Sequence, residues 1–70
     1  MEYVIVTYPA VREVLLDGQP AGRTNRTLLC GAGHHRFSLG GPQDFTPVER
    51  ECDIQGTTPL SPQSVAFLPL

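Results

Sequence analysis

The residues able to do chemistry in this seventy-residue chain fall between positions 30 and 53: Cys30, His34, His35, Cys52 and the carboxylates Glu49, Glu51 and Asp53. A zinc site would need cysteine or histidine ligands paired about two to four residues apart. Here each cysteine stands alone, and the two histidines are adjacent. Neighbouring side chains on a strand point to opposite faces, so two adjacent imidazoles are badly placed to grip one ion. Nucleophilic catalysis would need a thiol, a base and an orienting group within hydrogen-bond reach, and no spacing brings either cysteine to a histidine. Gly31-Ala32-Gly33 reads as a turn, because a phosphate loop would need a third glycine and a following helix. Glu49, Glu51 and Asp53 sit at alternate positions, and a solvated strand face explains them better than a calcium site or a general-acid pair. No catalytic residue, metal ligand or cofactor is expected. Two readings of the cysteines stay open: small buried hydrophobes, or a bridge closing a loop of about 22 residues and contributing roughly 3 kcal/mol in the chain-entropy model.

Those residues must be carried by short strands. Seven prolines and seven glycines are spread along the chain and leave almost no room for helices of ordinary length. Glu2 to Tyr8 is dense in β-branched and aromatic residues, is apolar on both faces at its middle, and ends at Pro9. Arg12 to Leu16 runs into Asp17-Gly18, a hairpin turn signal. Pro9, Val11, Val14, Leu15 and Gly18 also fit two turns of helix, but the shortness of the segment and its strand-like neighbours favour strand. Gln19 to Gly22 is a small strand or extended corner, and Arg26 to Cys30 is a strand. His34 to Leu39 alternates, with His35, Phe37 and Leu39 on one face. Val48 to Ile54 alternates too, with Val48, Cys52 and Ile54 facing in, and Arg50 snorkelling at the edge of that face. Ser64 to Leu68 is the last strand. Six to seven short strands with short connections predict one all-β domain over 1–70, a small antiparallel β-sandwich or partly open barrel.

Val14 to Leu29, including Asp17-Gly18, the Pro20-Ala21-Gly22 corner and the Thr24 to Thr27 turn, followed by Gly33-His34-His35 before an alternating strand, resembles the PEGA domain family. The motif spans Val14 to Leu39 and continues to Ile54, with Phe45 where the family tends to place an aromatic. Asn25 stands where a proline is usual, and Gly40-Gly41-Pro42 replaces a more regular strand end. The resemblance implies a small β-sandwich module of bacterial and archaeal proteins, often extracytoplasmic, without established activity. Its marks are turn requirements: Asp17, Gly18, Gly22, Thr24 and Gly33.

Composition narrows the function. Apolar residues make up 40% and charged residues 17%, too apolar for a disordered tail. Five arginines, no lysine and seven acids give a net charge of −2 without a basic stripe, so nucleic acid is not an expected partner. No apolar run approaches the roughly 20 residues of a spanning helix, and Met1-Glu2-Tyr3 does not open an export signal. The chain is thus read as cytoplasmic by default, with no membrane insertion, and extracytoplasmic if it is an excised PEGA-like module. The expected function is a non-catalytic protein-interaction or structural β-module that meets a protein partner or its own copy through an edge strand. The alternative is a carbohydrate or cell-envelope binding module that uses exposed Tyr3, Tyr8 or Phe45 as stacking platforms.

Overall fold

The computed structural model describes all residues, 1–70, and contains nine strands and no helix. Each segment expected to be extended is extended: β1 (Glu2–Thr7), β2 (Glu13–Leu16), β3 (Gln19–Arg23), β4 (Thr27–Cys30), β5 (Gly33–Leu39), β7 (Arg50–Ile54) and β8 (Gln63–Ala66). Two further two-residue strands, β6 (Phe45–Thr46) and β9 (Leu68–Pro69), pair with each other. The helical reading of Pro9 to Gly18 is not realised; β2 lies between β3 and β5 in a sheet.

The strands form a three-stranded sheet, β4-β1-β8, and a four-stranded sheet, β3-β2-β5-β7. β1 is central in its sheet, which accounts for its apolar residues on both faces: Val4 and Val6 are fully buried, and Tyr3 and Ile5 are half-buried. The fold is all-β, but its pairing corrects the expectation in one place: β1 and β8 run parallel, while every other pair is antiparallel. The long Gln55 to Pro62 connection allows this by carrying the chain back before β8 begins. It is fixed to β1 by Thr57, whose N–H and hydroxyl both donate to Glu2 Oε1 and whose Oγ1 accepts from the Tyr3 N–H at 2.7 Å.

Between the sheets lies one apolar core of twelve residues that includes Val4, Val6, Val14, Phe37, Ile54, Val65 and Phe67. Alternation on β5 delivers Phe37 and Leu39 inward with half-buried His35, as read from the sequence. On β7 only Ile54 is buried and Cys52 half-buried. Val48 does not face in: it is 60% exposed. β6 is drawn aside to pair with β9, so ladder pairing with β5 starts only at Arg50 opposite Phe37, and Val48 lies in the crossing segment. Arg50 is exposed as well.

Several turns rest on residues with positive φ. Asp17 (φ 51°) and Gly18 (φ 83°) both have positive φ, the requirement of a two-residue hairpin whose twist matches its strands. Gly22 (φ 143°) lies so close to Leu28 that an added Cβ would collide with its Cδ2, so this glycine lets β3 meet β4. Gly33 (φ 118°) opens β5.

Two crossovers between the sheets run side by side, Tyr8 to Arg12 and Thr24 to Arg26, and are laced together. Thr24 is fully buried; its hydroxyl donates to the Ala10 carbonyl (2.8 Å) and accepts from the Arg12 N–H (2.9 Å). The Thr24 N–H donates to the Arg12 carbonyl at 2.9 Å. Asn25, at φ 65°, uses its amide as a strand backbone would, donating to the Tyr8 carbonyl (2.8 Å) and accepting from the Tyr8 N–H (3.2 Å). Proline, fixed near φ −65°, could not take that place. Replacing Thr24 by valine keeps the shape and removes the hydroxyl, leaving two backbone groups unpaired. Urea unfolding of Thr24→Val is expected to show a loss of about 1–3 kcal/mol; an unchanged midpoint would remove the lacing role.

Candidate functional site

His34 and His35 diverge to opposite faces of β5. His34 is solvent-exposed, with Nε2 2.7 Å from Glu51 Oε1 and Nδ1 3.6 Å from Asp53 Oδ1, both carboxylates on neighbouring β7. The Glu51 bond and the nearby Asp53 charge hold its pKa above the ordinary imidazole value. No group of three or more His, Cys, Asp or Glu side chains is arranged to hold a metal ion.

His35 is spoken for on both ring nitrogens: Nδ1 is 2.8 Å from Asp17 Oδ2, and Nε2 is 2.7 Å from the Gly31 carbonyl. Both partners only accept, so the imidazolium alone can donate to both at once. The carboxylate bond and the Gly31 bond raise its pKa. Asp17 in turn accepts from the Arg36 N–H through Oδ1 at 2.9 Å, and this bond, followed by that to His35, lowers its pKa. The arrangement ties the β2–β3 turn to the β4–β5 turn, so Asp17 acts on structure beyond its own hairpin. Both cysteines are free thiols, Cys30 buried and Cys52 half-buried. Burial pushes the Cys30 thiol up, away from the thiolate that a nucleophile needs.

The three rings expected as exposed platforms are not alike. Phe45 is buried at 3% exposure and packs edge-on against Phe67 with centroids 5.8 Å apart, and Tyr8 is buried at 9%. Both belong to the apolar core, and Arg12 lies beside them. Its guanidinium lies 5.6 Å from the Tyr8 ring and 5.5 Å from the Phe45 ring, and it donates to the Gly40 and Pro42 carbonyls (2.7 and 2.8 Å) and to Asp44 Oδ1 (2.8 Å). The Asp44 bond holds the Arg12 pKa up and that of Asp44 down. Arg12 thus pins the 40–44 loop over both rings, leaving only Tyr3, half-buried, near solvent.

The surface is open along one seam. β7 pairs only with β5, and β8 only with β1, so each keeps one unpaired edge. A groove of about 490 Å³ is lined by Pro47, Glu49, Arg50, Glu51 and Cys52 on the β7 side and by Gln63 and Ser64 on β8. At the opposite seam β3 and β4 also keep unpaired outer edges, but there the Leu28 side chain packs against Gly22. Sequence reading found the strands that border the groove but did not mark Gln63 and Ser64 as lining residues, and it gave Arg12 and Asn25 no task. The signal available for Asn25 was its place in a Thr-Asn turn; Arg12 carried none, because the carbonyls and the carboxylate that its guanidinium hydrogen-bonds are 28 or more positions away.

Compared with protein-family models, curated proteins and solved structures, the chain matches none of them.

The His35–Asp17 pair gives stability a definite pH form. His35, raised above 6.5, adds stability that is complete below that value and lost as pH climbs through its folded pKa. Asp17, lowered from 3.8, adds stability present above that value and lost as pH falls through its folded pKa. His34 shifts in the same sense as His35, so the test is made with His34→Gln as reference. Its melting temperature is expected to fall as pH rises above about 6.5, and His35→Gln in that background should flatten the fall. Equal slopes in both proteins would contradict the assignment.

Proposed function

We propose that this chain is a non-catalytic interaction module, built on a PEGA-like plan, that holds a partner protein by accepting an extended segment at the β7–β8 seam. One observation carries the reading: two strands with unpaired edges border an open, hydrogen-bonding groove. Unpaired N–H and C=O groups on a strand edge are a template for another strand, and backbone pairing supplies affinity with little demand on sequence. β7 is five residues long, so at about 3.3 Å per residue it offers roughly 17 Å of edge, room for an occupant of four or five residues.

The groups that could have done chemistry support the same reading by their commitments. The His35 nitrogens face a carboxylate and a carbonyl, and the Cys30 thiol is buried. The carbohydrate reading is left with half-buried Tyr3 alone, because Tyr8 and Phe45 are buried.

Cys52 lines the groove and gives a handle for the test. A displayed library of random seven-residue peptides is panned against the native chain and against chain alkylated at Cys52 with a bulky maleimide, with circular dichroism confirming that the label leaves the fold intact. Enriched peptides are expected to bind the native chain and lose binding to the labelled one. No enrichment, or equal binding to both, would defeat the proposal.

A further inference from the structure

The β7 edge is not neutral, and its charge selects the occupant. Glu51 and Asp53 stand on the outward face of β7 and Glu49 just ahead of it, all three exposed. The facing strand β5 supplies His34 between Glu51 and Asp53, and Arg36 directly across from Glu51. On the free side Arg50 is the one cation lining the groove, against the carboxylates Glu49 and Glu51. A strand added at this edge would set its own side chains about 4.5–5.5 Å from Glu51 and Asp53, close enough for opposite charges to help and like charges to harm.

A second copy is a poor occupant. If two β7 strands pair antiparallel with their inner faces on one side, residues of equal parity stand opposite each other. Glu51 then meets Glu49, Glu51 or Asp53 of the copy, whichever register is chosen. Nor can another strand of this chain serve: its five arginines are never two positions apart, and the one alternate pair of basic groups, His34 and Arg36, lies on β5, already paired on both edges by β2 and β7. The carboxylates therefore oppose self-pairing and invite a strand of opposite charge.

We infer that the β7–β8 seam takes an extended segment of a different protein, with basic side chains at alternate positions opposite Glu51 and Asp53 and small polar ones turned toward Gln63 and Ser64. This rests on the edge-binding reading above and assigns its partner class.

The test is a ¹⁵N chemical-shift titration of the full chain with three synthetic peptides capped at both ends: Thr-Lys-Thr-Lys-Thr-Lys-Thr, its Glu-for-Lys counterpart, and Pro-Lys-Pro-Lys-Pro-Lys-Pro. The first is expected to bind with shifts centred on Glu49 to Ile54 and on Gln63 and Ser64. The acidic peptide should not bind. The proline peptide keeps the charge but cannot donate backbone N–H groups, and should bind far more weakly. Glu51→Lys combined with Asp53→Lys should weaken the first peptide about tenfold or more while leaving the folded spectrum otherwise intact. Equal binding of the proline peptide would overturn strand addition, since charge alone would then suffice. Binding of the acidic peptide at the seam, or indifference to the double charge reversal, would overturn the basic partner and leave edge binding standing. A stable dimer by light scattering with its interface at β7 would overturn the choice of a foreign partner.

Discussion

Thr24 and Asn25 hold the two sheets in one body. A chain that changes sheets twice within nineteen residues, 8–26, exposes backbone at each crossing, and in so small a domain there is little apolar mass to cover it. The fold answers by setting the crossings side by side and letting one provide the hydrogen bonds of the other. The buried Thr24 hydroxyl closes Ala10 and Arg12; the Asn25 amide stands in for a strand partner at Tyr8. No buried side-chain nitrogen or oxygen, Thr24 included, is left without a partner.

Much of the remaining architecture follows from that fixed corner. It brings β3 against β4, where Leu28 packs on Gly22, and places Arg12 where its guanidinium can hold the 40–44 loop beside Tyr8 and Phe45. The opposite flank has no such corner. There the chain passes from β7 to β8 through a loop anchored to β1 by Thr57 and not to the neighbouring strand, so two edges stay unpaired. The molecule is a small two-sheet sandwich, and its β7–β8 flank presents polar backbone and polar side chains with Ile54 of β7 and Val65 of β8 buried in the core behind them.

Local signals were legible in the sequence and distant ones were not. β-branched density marked β1, strict alternation marked β5, and Asp17-Gly18 marked the first hairpin, because strand pattern and turn chemistry act over a few residues. The parallel β1–β8 pairing was invisible, since it depends on how a loop is anchored 54 positions away, at Tyr3 and Thr57. Val48 was misread for a related reason: alternation continues through it, but β6 follows β9 and releases it to solvent. Tyr8 and Phe45 look like surface rings until Arg12 covers them. As for the candidate site, β7 and its carboxylates could be read directly, whereas the groove beside them needs β8 in place.

The corner also explains why a thin core can suffice: hydrogen bonds that would otherwise exchange with water at the crossovers are made internally and cooperatively with strand pairing. Native-state amide hydrogen exchange tests this most directly. The amides of Tyr8, Arg12, Thr24 and Asn25 should exchange as slowly as those of β1 and β5, through global unfolding alone. Exchange of those four at the rate of the Gln55 to Pro62 connection would contradict it, for the corner would then open without the sheets.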